Sequence, residues 1–156
     1  MPHDRPPHAA HTLLVHADAE LDPDSSIAPP VYPSVTYRAR DAEEFRAMAT
    51  EARHPRFYAR YGTPTHARVE KVVAELEGAE AALVTASGMA AISCAVLSQV
   101  RAGDHVVAQR SHYMGTTQLV ENVLARFGVE ATIVDQTDTA QFEAALRPNT
   151  RLVLLE

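Results

Sequence analysis

The sequence contains very little cysteine, no excess of positive charge and no long apolar run. Cys94 is the only cysteine among 156 residues, which excludes an internal disulfide framework and is typical of a reducing cytoplasm. No stretch approaches the roughly 18 apolar residues of a membrane span, and the first residues lack the apolar core of a signal peptide. The formal net charge of −6 argues against a nucleic-acid groove or an anionic membrane surface. These absences favour a cytoplasmic protein.

Lysine is almost missing, since Lys71 is the only one in the chain. It lies in a helical pattern with Glu75 four residues later, a spacing typical of an ion pair on a solvated helix face. Chemistry that needs a buried lysine amine is therefore not expected from Lys71.

Two regions differ in pattern. Residues 1–62 are interpreted as an N-terminal arm, extended and rich in proline and histidine up to Pro33, with one short helix. Asp41 caps that helix, and Glu44 completes a capping box. Residues 63–156 are interpreted as the first part of an α/β domain.

The second region alternates between strand and helix patterns. Thr63 and Pro64 begin a helix that ends at Gly78. Alternation of this kind predicts an open parallel sheet with right-handed crossovers. The later elements are predicted as strands 81–86, 105–109, 131–135 and 151–155, and as helices 89–100, 116–127 and 138–146.

The last predicted strand ends next to Glu156, the final residue. In open α/β folds, ligands bind at the carboxyl edge of the strands. A natural domain seldom stops there, so the expectation is a truncated domain.

The segment Ser87-Gly88-Met89 lies where a strand passes into a helix. Free amides and the positive end of the helix dipole favour an anion there, and glycine allows close approach of a phosphate. The alternative is that Ser87 is only an N-cap and Gly88 only a turn residue. Neither a Walker sequence nor GxGxxG is present, so nucleotide sites fit poorly.

Three further side chains are candidates for ligand binding. Tyr58 and Arg60 suit a phosphate or carboxylate, although a packed loop tyrosine beside a solvated arginine explains them equally well. Tyr113 follows a predicted strand, where its ring could stack on a planar ligand or simply pack in a loop.

Metal binding is not expected, because the N-terminal histidines have no carboxylate support and no fixed geometry. Cys94 lies in an apolar helix pattern, which predicts a buried structural thiol. Asp138 is explained as a helix N-cap. The histidines concerned are His3, His8, His11 and His16.

Taken in order, several segments resemble the Cys/Met-metabolism family of pyridoxal-phosphate (PLP) enzymes. That family includes cystathionine synthases and lyases, methionine γ-lyase and O-acylhomoserine sulfhydrylases. The resemblance covers nearly the whole chain from about Thr12. The segments are APPVY with TY at residues 28–37, YARYGTPT at 58–65, LEGAEAA at 76–82, SGMAA at 87–91, YMGT at 113–116 and the final LLE.

The resemblance implies a partial fold-type I PLP-dependent domain with pyridoxal 5′-phosphate as cofactor. The segment at Ser87, with the amides of Gly88 and Met89, would hold the phosphate. Tyr113 would stack on the ring and is the one candidate catalytic residue. Tyr58 and Arg60 would reach the phosphate of a neighbouring subunit, so a homo-oligomer, expected to be a dimer of dimers, is implied.

The resemblance also places essential groups outside the sequence. The Schiff-base lysine, the aspartate for the pyridine nitrogen and the arginine for the substrate carboxylate would all lie beyond Glu156. The chain alone is therefore expected to be inactive. Met114 replaces the glycine usual after the stacking tyrosine, and Gly115 stands where methionine γ-lyases tend to carry cysteine.

The predicted function is that of part of a trans-sulfuration enzyme. The whole enzyme would eliminate or replace groups at C–S or C–O bonds of a small amino-acid substrate through an external aldimine. Two alternatives remain: a non-catalytic α/β module that binds a phosphorylated ligand, and a remnant that pairs with a larger homologue.

Overall fold

The structure is a computed structural model, and it describes residues 9–156. His3 and His8 lie outside the described residues. The chain divides into two compact units, of which unit 1 ends at Val84 and unit 2 is Thr85–Glu156. The domain boundary expected at residues 62/63 remains a prediction.

Unit 1 is helical. The segment expected to be extended forms a helix and a 3-10 turn, so that expectation was wrong. The reason is a tertiary contact: Asp18, after the first helix, accepts a hydrogen bond from the buried Arg68 side chain at 2.6 Å. The elements are α1 (Ala10–His16), the 3-10 turn (Ala19–Leu21), α2 (Ala42–Thr50) and α3 (Pro64–Glu77).

Helix α2 begins as its capping residues predict. The Asp41 side chain accepts the amide of Glu44 at 2.8 Å. Glu44 reaches back to the amide of Arg40, one residue before the N-cap, rather than to the N-cap amide that a standard capping box would use. Met48 is the buried residue of the helix.

Helix α3 also has both predicted ends. The Thr63 side chain accepts from the His66 amide, Pro64 occupies the first turn, and Gly78 ends the helix in the left-handed conformation at φ 61°. Glycine adopts that conformation without the steric cost that a Cβ brings.

The segment 81–86 was predicted as a buried strand, and this was wrong. It forms no strand ladder with any of residues 9–156. Instead, the Val84 amide donates to Glu70 Oε1 at 3.0 Å. A strand requires a neighbouring strand for its backbone hydrogen bonds, and an apolar pattern does not show whether such a neighbour is present.

Unit 2 is an α/β unit with a three-stranded parallel sheet, as predicted. The strand order is β2-β1-β3, with β1 in the centre. A π-helical turn interrupts the helix that follows β1. The elements are α4 (Gly88–Gln99), β1 (His105–Gln109), α5 (Met114–Gln118), the π-turn (Leu119–Val123), α6 (Leu124–Arg126), β2 (Glu130–Val134), α7 (Thr139–Ala145) and β3 (Thr150–Leu154).

The core of unit 2 joins β1 to one side of each adjoining helix. Strand β1 is buried along its whole length, as expected for the central strand of a parallel sheet. Its packed neighbours include Val96 of α4 and Leu124 of α6, which are 2% and 0% exposed. This packing fixes the carboxyl end of β1 relative to the start of α4.

At the amino end of β1, His105 is fully buried between the other two strands. Its Nδ1 lies 2.8 Å from Thr150 Oγ1, and its Nε2 lies 2.8 Å from Thr132 Oγ1. Burial lowers the pKa of His105 below its usual 6.5. The ring is therefore neutral and joins all three strands.

Cys94 was predicted to be buried, and this was wrong, because its side chain is exposed. Helix α4 is apolar around most of its circumference, so the sequence does not indicate which side faces the core. Packing selects the side that carries Val96, and Cys94 lies roughly opposite, two residues away along the helix.

None of the helices formed by residues 9–156 has both the length and the apolar character needed to cross a membrane.

Candidate functional site

The start of α4 lies at one edge of unit 2. Ser87 is extended, at φ −163° and ψ 161°, and its hydroxyl accepts the Ala90 amide at 3.1 Å. The Thr85 hydroxyl donates to the Ser87 carbonyl at 2.8 Å. Ser87 therefore is the N-cap that the sequence predicted, and capping alone accounts for its side chain.

Two amides at this helix start remain without a protein partner. The N–H groups of Gly88 and Met89 find no acceptor among residues 9–156, which is typical of the first turn of a helix. A Cβ built at Gly88 would have nothing within 4 Å. The surface over these amides is open, and an anionic group has room to approach them.

Tyr113 lies close to the same helix start. The residue as a whole is 61% exposed. A Cβ built at Gly115 would lie 2.7 Å from Met89 Sδ and 2.9 Å from Tyr113 Cε1. Met89 and Tyr113 therefore approach each other across Gly115, so the structure brings Tyr113 together with the Ser87-Gly88-Met89 segment.

Gln109 and Glu156 fix the backbone at Tyr113, and sequence reasoning missed both as site residues. The Tyr113 amide donates to Glu156 Oε2 at 3.0 Å. Gln109 Nε2 donates to the Glu156 carbonyl at 3.0 Å, and Gln109 Oε1 accepts the Glu156 amide at 3.1 Å. The one available signal was a glutamine at the end of an apolar strand.

Tyr58 and Arg60 belong to unit 1. Tyr58 forms an isolated antiparallel bridge with Thr36 and is 43% exposed. The exposed Arg60 side chain has no hydrogen bond or ion pair with any of residues 9–156. The Arg60 guanidinium is therefore available for an anionic group, whereas the Tyr58 ring also packs edge-on against Tyr61, with 6.3 Å between the ring centroids.

Lys71 forms the ion pair predicted for it. Its Nζ lies 2.9 Å from Glu75 Oε1 and 3.4 Å from Glu20 Oε1. The hydrogen bond to Glu75 raises the pKa of Lys71. A charged amine held in this way is a poor nucleophile.

No group of three or more histidine, cysteine, aspartate or glutamate side chains within residues 9–156 is arranged to hold a metal ion. His11 and His16 lie in α1. Asp138 caps α7 by accepting the Ala140 amide at 3.0 Å, as predicted.

Comparison with known proteins identifies related sequences. A family model described as "Cys/Met metabolism PLP-dependent enzyme" matches residues 11–156. The chain is 39% identical over 145 residues to L-methionine gamma-lyase of Porphyromonas gingivalis, covering 93% of this chain and 36% of that protein. It is 38% identical over 148 residues to cystathionine beta-lyase MetC of Bacillus subtilis, covering 93% and 35%. The chain thus spans about a third of the length of these relatives.

A solved structure has the same fold. It is described as a putative O-acetylhomoserine (thiol)-lyase of Campylobacter jejuni with N'-pyridoxyl-lysine-5'-monophosphate. The TM-score is 0.84 at 28% identity, covering 95% of this chain and 36% of that one.

Proposed function

The chain belongs to the Cys/Met-metabolism family of PLP-dependent enzymes, and from this premise we propose that unit 2 binds pyridoxal phosphate. The observation that carries the proposal is the pair of unpartnered amides at Gly88 and Met89, beside the exposed ring of Tyr113. The two amides would receive the phosphate, and the Tyr113 ring would stack on the pyridine ring.

The residues present fit this cofactor. Its phosphate needs several N–H donors, and the first turn of α4 offers them under an open surface at Gly88. Its ring needs a flat apolar partner, and Tyr113 presents an exposed ring that lies close to Met89 and Gly115. Both partners lie within unit 2.

When bound, the cofactor supplies an electron-accepting ring that stabilises negative charge on a substrate carbon. The chain's own residues bind the cofactor and orient its ring. The amides of Gly88 and Met89 neutralise phosphate charge with the help of the α4 dipole, and Tyr113 covers one face of the ring. Ser87 fixes the start of α4, which carries both amides, by capping it.

We further propose that Tyr58 and Arg60 act in a neighbouring subunit. The supporting observation is that the Arg60 guanidinium has no partner within the described part of the chain, while a fork of N–H donors suits a phosphate. A homo-oligomer, expected to be a dimer of dimers in the cytoplasm, would bring this pair to the phosphate in a second copy.

The reaction class proposed for the whole enzyme is elimination or replacement at a C–S or C–O bond of a small amino acid. Identities of 39% to a γ-lyase and 38% to a β-lyase are nearly equal, so the proposal names the class rather than one substrate. The 156-residue chain by itself is proposed to be inactive, because Lys71 is its only lysine and is ion-paired.

Binding of pyridoxine 5′-phosphate tests the proposed site. This probe has the ring and the phosphate but no aldehyde, so it does not react with the Lys71 amine. Equilibrium dialysis should show saturable binding by the chain. Tyr113→Leu should bind about two- to tenfold more weakly, as expected for loss of a stacked ring.

Phe127→Leu is the matched control, because Phe127 and Tyr113 are both 61% exposed in unit 2. Its affinity should equal that of the unaltered chain. Failure of the unaltered chain to bind would contradict the proposal. Equal competition by inorganic phosphate alone would favour a simple phosphate-binding module instead.

A further inference from the structure

The side chain of Gln109, the last residue of β1, extends the β1–β3 pairing past its last backbone-paired positions. Residues Ala108 and Leu154 are the last paired positions of these strands. Beyond them, the Gln109 carboxamide takes the place of a peptide group: it accepts the Glu156 amide and donates to the Glu156 carbonyl. The Gln109 side chain thus fixes the backbone of Glu156.

Gln109 is almost completely buried, at 5% exposed. Its Nε2 makes a second hydrogen bond, to the Ser111 carbonyl at 2.6 Å. Both amide hydrogens and the carbonyl oxygen of the side chain are therefore used. A buried amide with every group paired has one orientation, so the position of Glu156 is well defined.

The fixed Glu156 in turn fixes the backbone of Tyr113. Its Oε2 accepts the Tyr113 amide at 3.0 Å, a charge-assisted bond to a backbone group. The Tyr113 carbonyl accepts the amides of Thr116 and Thr117 in the first turn of α5. The peptide groups on both sides of the Tyr113 Cα are held, although the ring itself is exposed.

We infer that Gln109 and Glu156 are positioning residues that orient the Tyr113 ring for a planar, phosphate-bearing ligand. The inference rests on the proposed function for the identity of the ligand. The hold on the Tyr113 amide follows from the hydrogen bonds alone. An exposed ring keeps one orientation only if its backbone is fixed, and Glu156 is the side chain that fixes the amide.

The test compares three substitutions in the 156-residue chain. Glu156→Gln keeps an oxygen that accepts the Tyr113 amide, whereas Glu156→Leu removes it. Glu143→Leu is the matched control, because Glu143 is an exposed glutamate of α7 in the same unit. Hydrogen exchange of the Tyr113 amide and affinity for pyridoxine 5′-phosphate are measured for each.

The expected result is a split between the variants. Glu156→Leu should exchange the Tyr113 amide about tenfold faster and bind the probe about tenfold more weakly, as for loss of a charge-assisted hydrogen bond. Glu156→Gln and Glu143→Leu should stay near the unaltered chain in both measurements. Losing this hydrogen bond should lower the unfolding temperature of Glu156→Leu by only a few degrees, and amides elsewhere in unit 2 should keep their exchange rates, whereas a merely structural role for Glu156 would speed exchange throughout the unit.

Two results would overturn the inference. Unchanged exchange in Glu156→Leu would show that the carboxylate does not hold the Tyr113 amide. Faster exchange with unchanged affinity would show that the hold does not serve the ligand. If the unaltered chain binds no probe, the proposed function and the ligand-directed part of the inference both fail, and the exchange rates then decide the hold on Tyr113 separately.

Discussion

Replacing Gly115 by alanine tests how closely Tyr113 packs on the start of α4. The added Cβ would meet Met89 Sδ at 2.7 Å and Tyr113 Cε1 at 2.9 Å, whereas ordinary contact begins at 3.4 Å. Met89 must therefore retreat by about 0.7 Å and the Tyr113 ring by about 0.5 Å. Both atoms belong to the candidate site.

Two opposing energies set the size of the effect. Overpacking costs about 1–3 kcal/mol; the Met89 side chain is flexible but the Tyr113 ring is stiff, so a cost of about 2 kcal/mol is expected. Alanine also improves helix propensity by up to about 1 kcal/mol over glycine. The expected net result for Gly115→Ala is a loss of about 1 kcal/mol in the free energy of unfolding.

Gly88→Ala provides the comparison, because its Cβ would have nothing within 4 Å. It should leave the free energy of unfolding unchanged or raise it by up to about 1 kcal/mol. Its affinity for pyridoxine 5′-phosphate should nevertheless fall, since the methyl group occupies the surface where the phosphate would lie. Gly115→Ala should lose both stability and affinity.

Urea unfolding followed by circular dichroism measures the first quantity, and equilibrium dialysis measures the second. If Gly115→Ala proved as stable as Gly88→Ala, the close approach of Met89 and Tyr113 across Gly115 would be refuted. If Gly115→Ala lost stability but kept its affinity, the Tyr113 ring would have no part in binding.

Three further predictions concern the scaffold. Because the pKa of buried His105 lies below 6.5, the unfolded chain takes up a proton at a higher pH than the folded chain does. The free energy of unfolding should be complete above about pH 6.5 and fall by up to about 1.4 kcal/mol per pH unit below it, until the folded-state pKa is reached. His105→Leu should reduce this slope, as measured by urea unfolding at several pH values. Exposed Cys94 should react with a thiol reagent in the folded chain as fast as in urea, and slow reaction would contradict the exposure. Gly78→Ala should lower the free energy of unfolding by about 1 kcal/mol, because φ is 61°; unchanged stability would contradict the left-handed C-cap.

Local signals account for what the sequence predicted correctly. Thr63, Pro64 and Gly78 act on neighbouring backbone groups, so the ends of α3 could be read from the sequence. Ser87 is a cap of the same kind, and it located the start of α4. Such residues need no knowledge of the rest of the fold.

The errors arose where the answer depends on distant residues. Segment 81–86 has a strand pattern, but a strand needs a partner that the pattern does not name. Cys94 lies in a helix that is apolar on nearly every side, so packing alone decides its exposure. Gln109 and Glu156 are 47 positions apart and meet only after β1 and β3 pair.

The strand order β2-β1-β3 has a consequence for how the chain assembles as it leaves the ribosome. The central strand β1 is the first of the three to be synthesised. When β2 or β3 is synthesised, the β1 strand with which it pairs is therefore already present, so neither pairing depends on a strand that has yet to be made. A mutation that delays β1 should slow both pairings together, whereas one in β3 should leave the β1–β2 pair free to form.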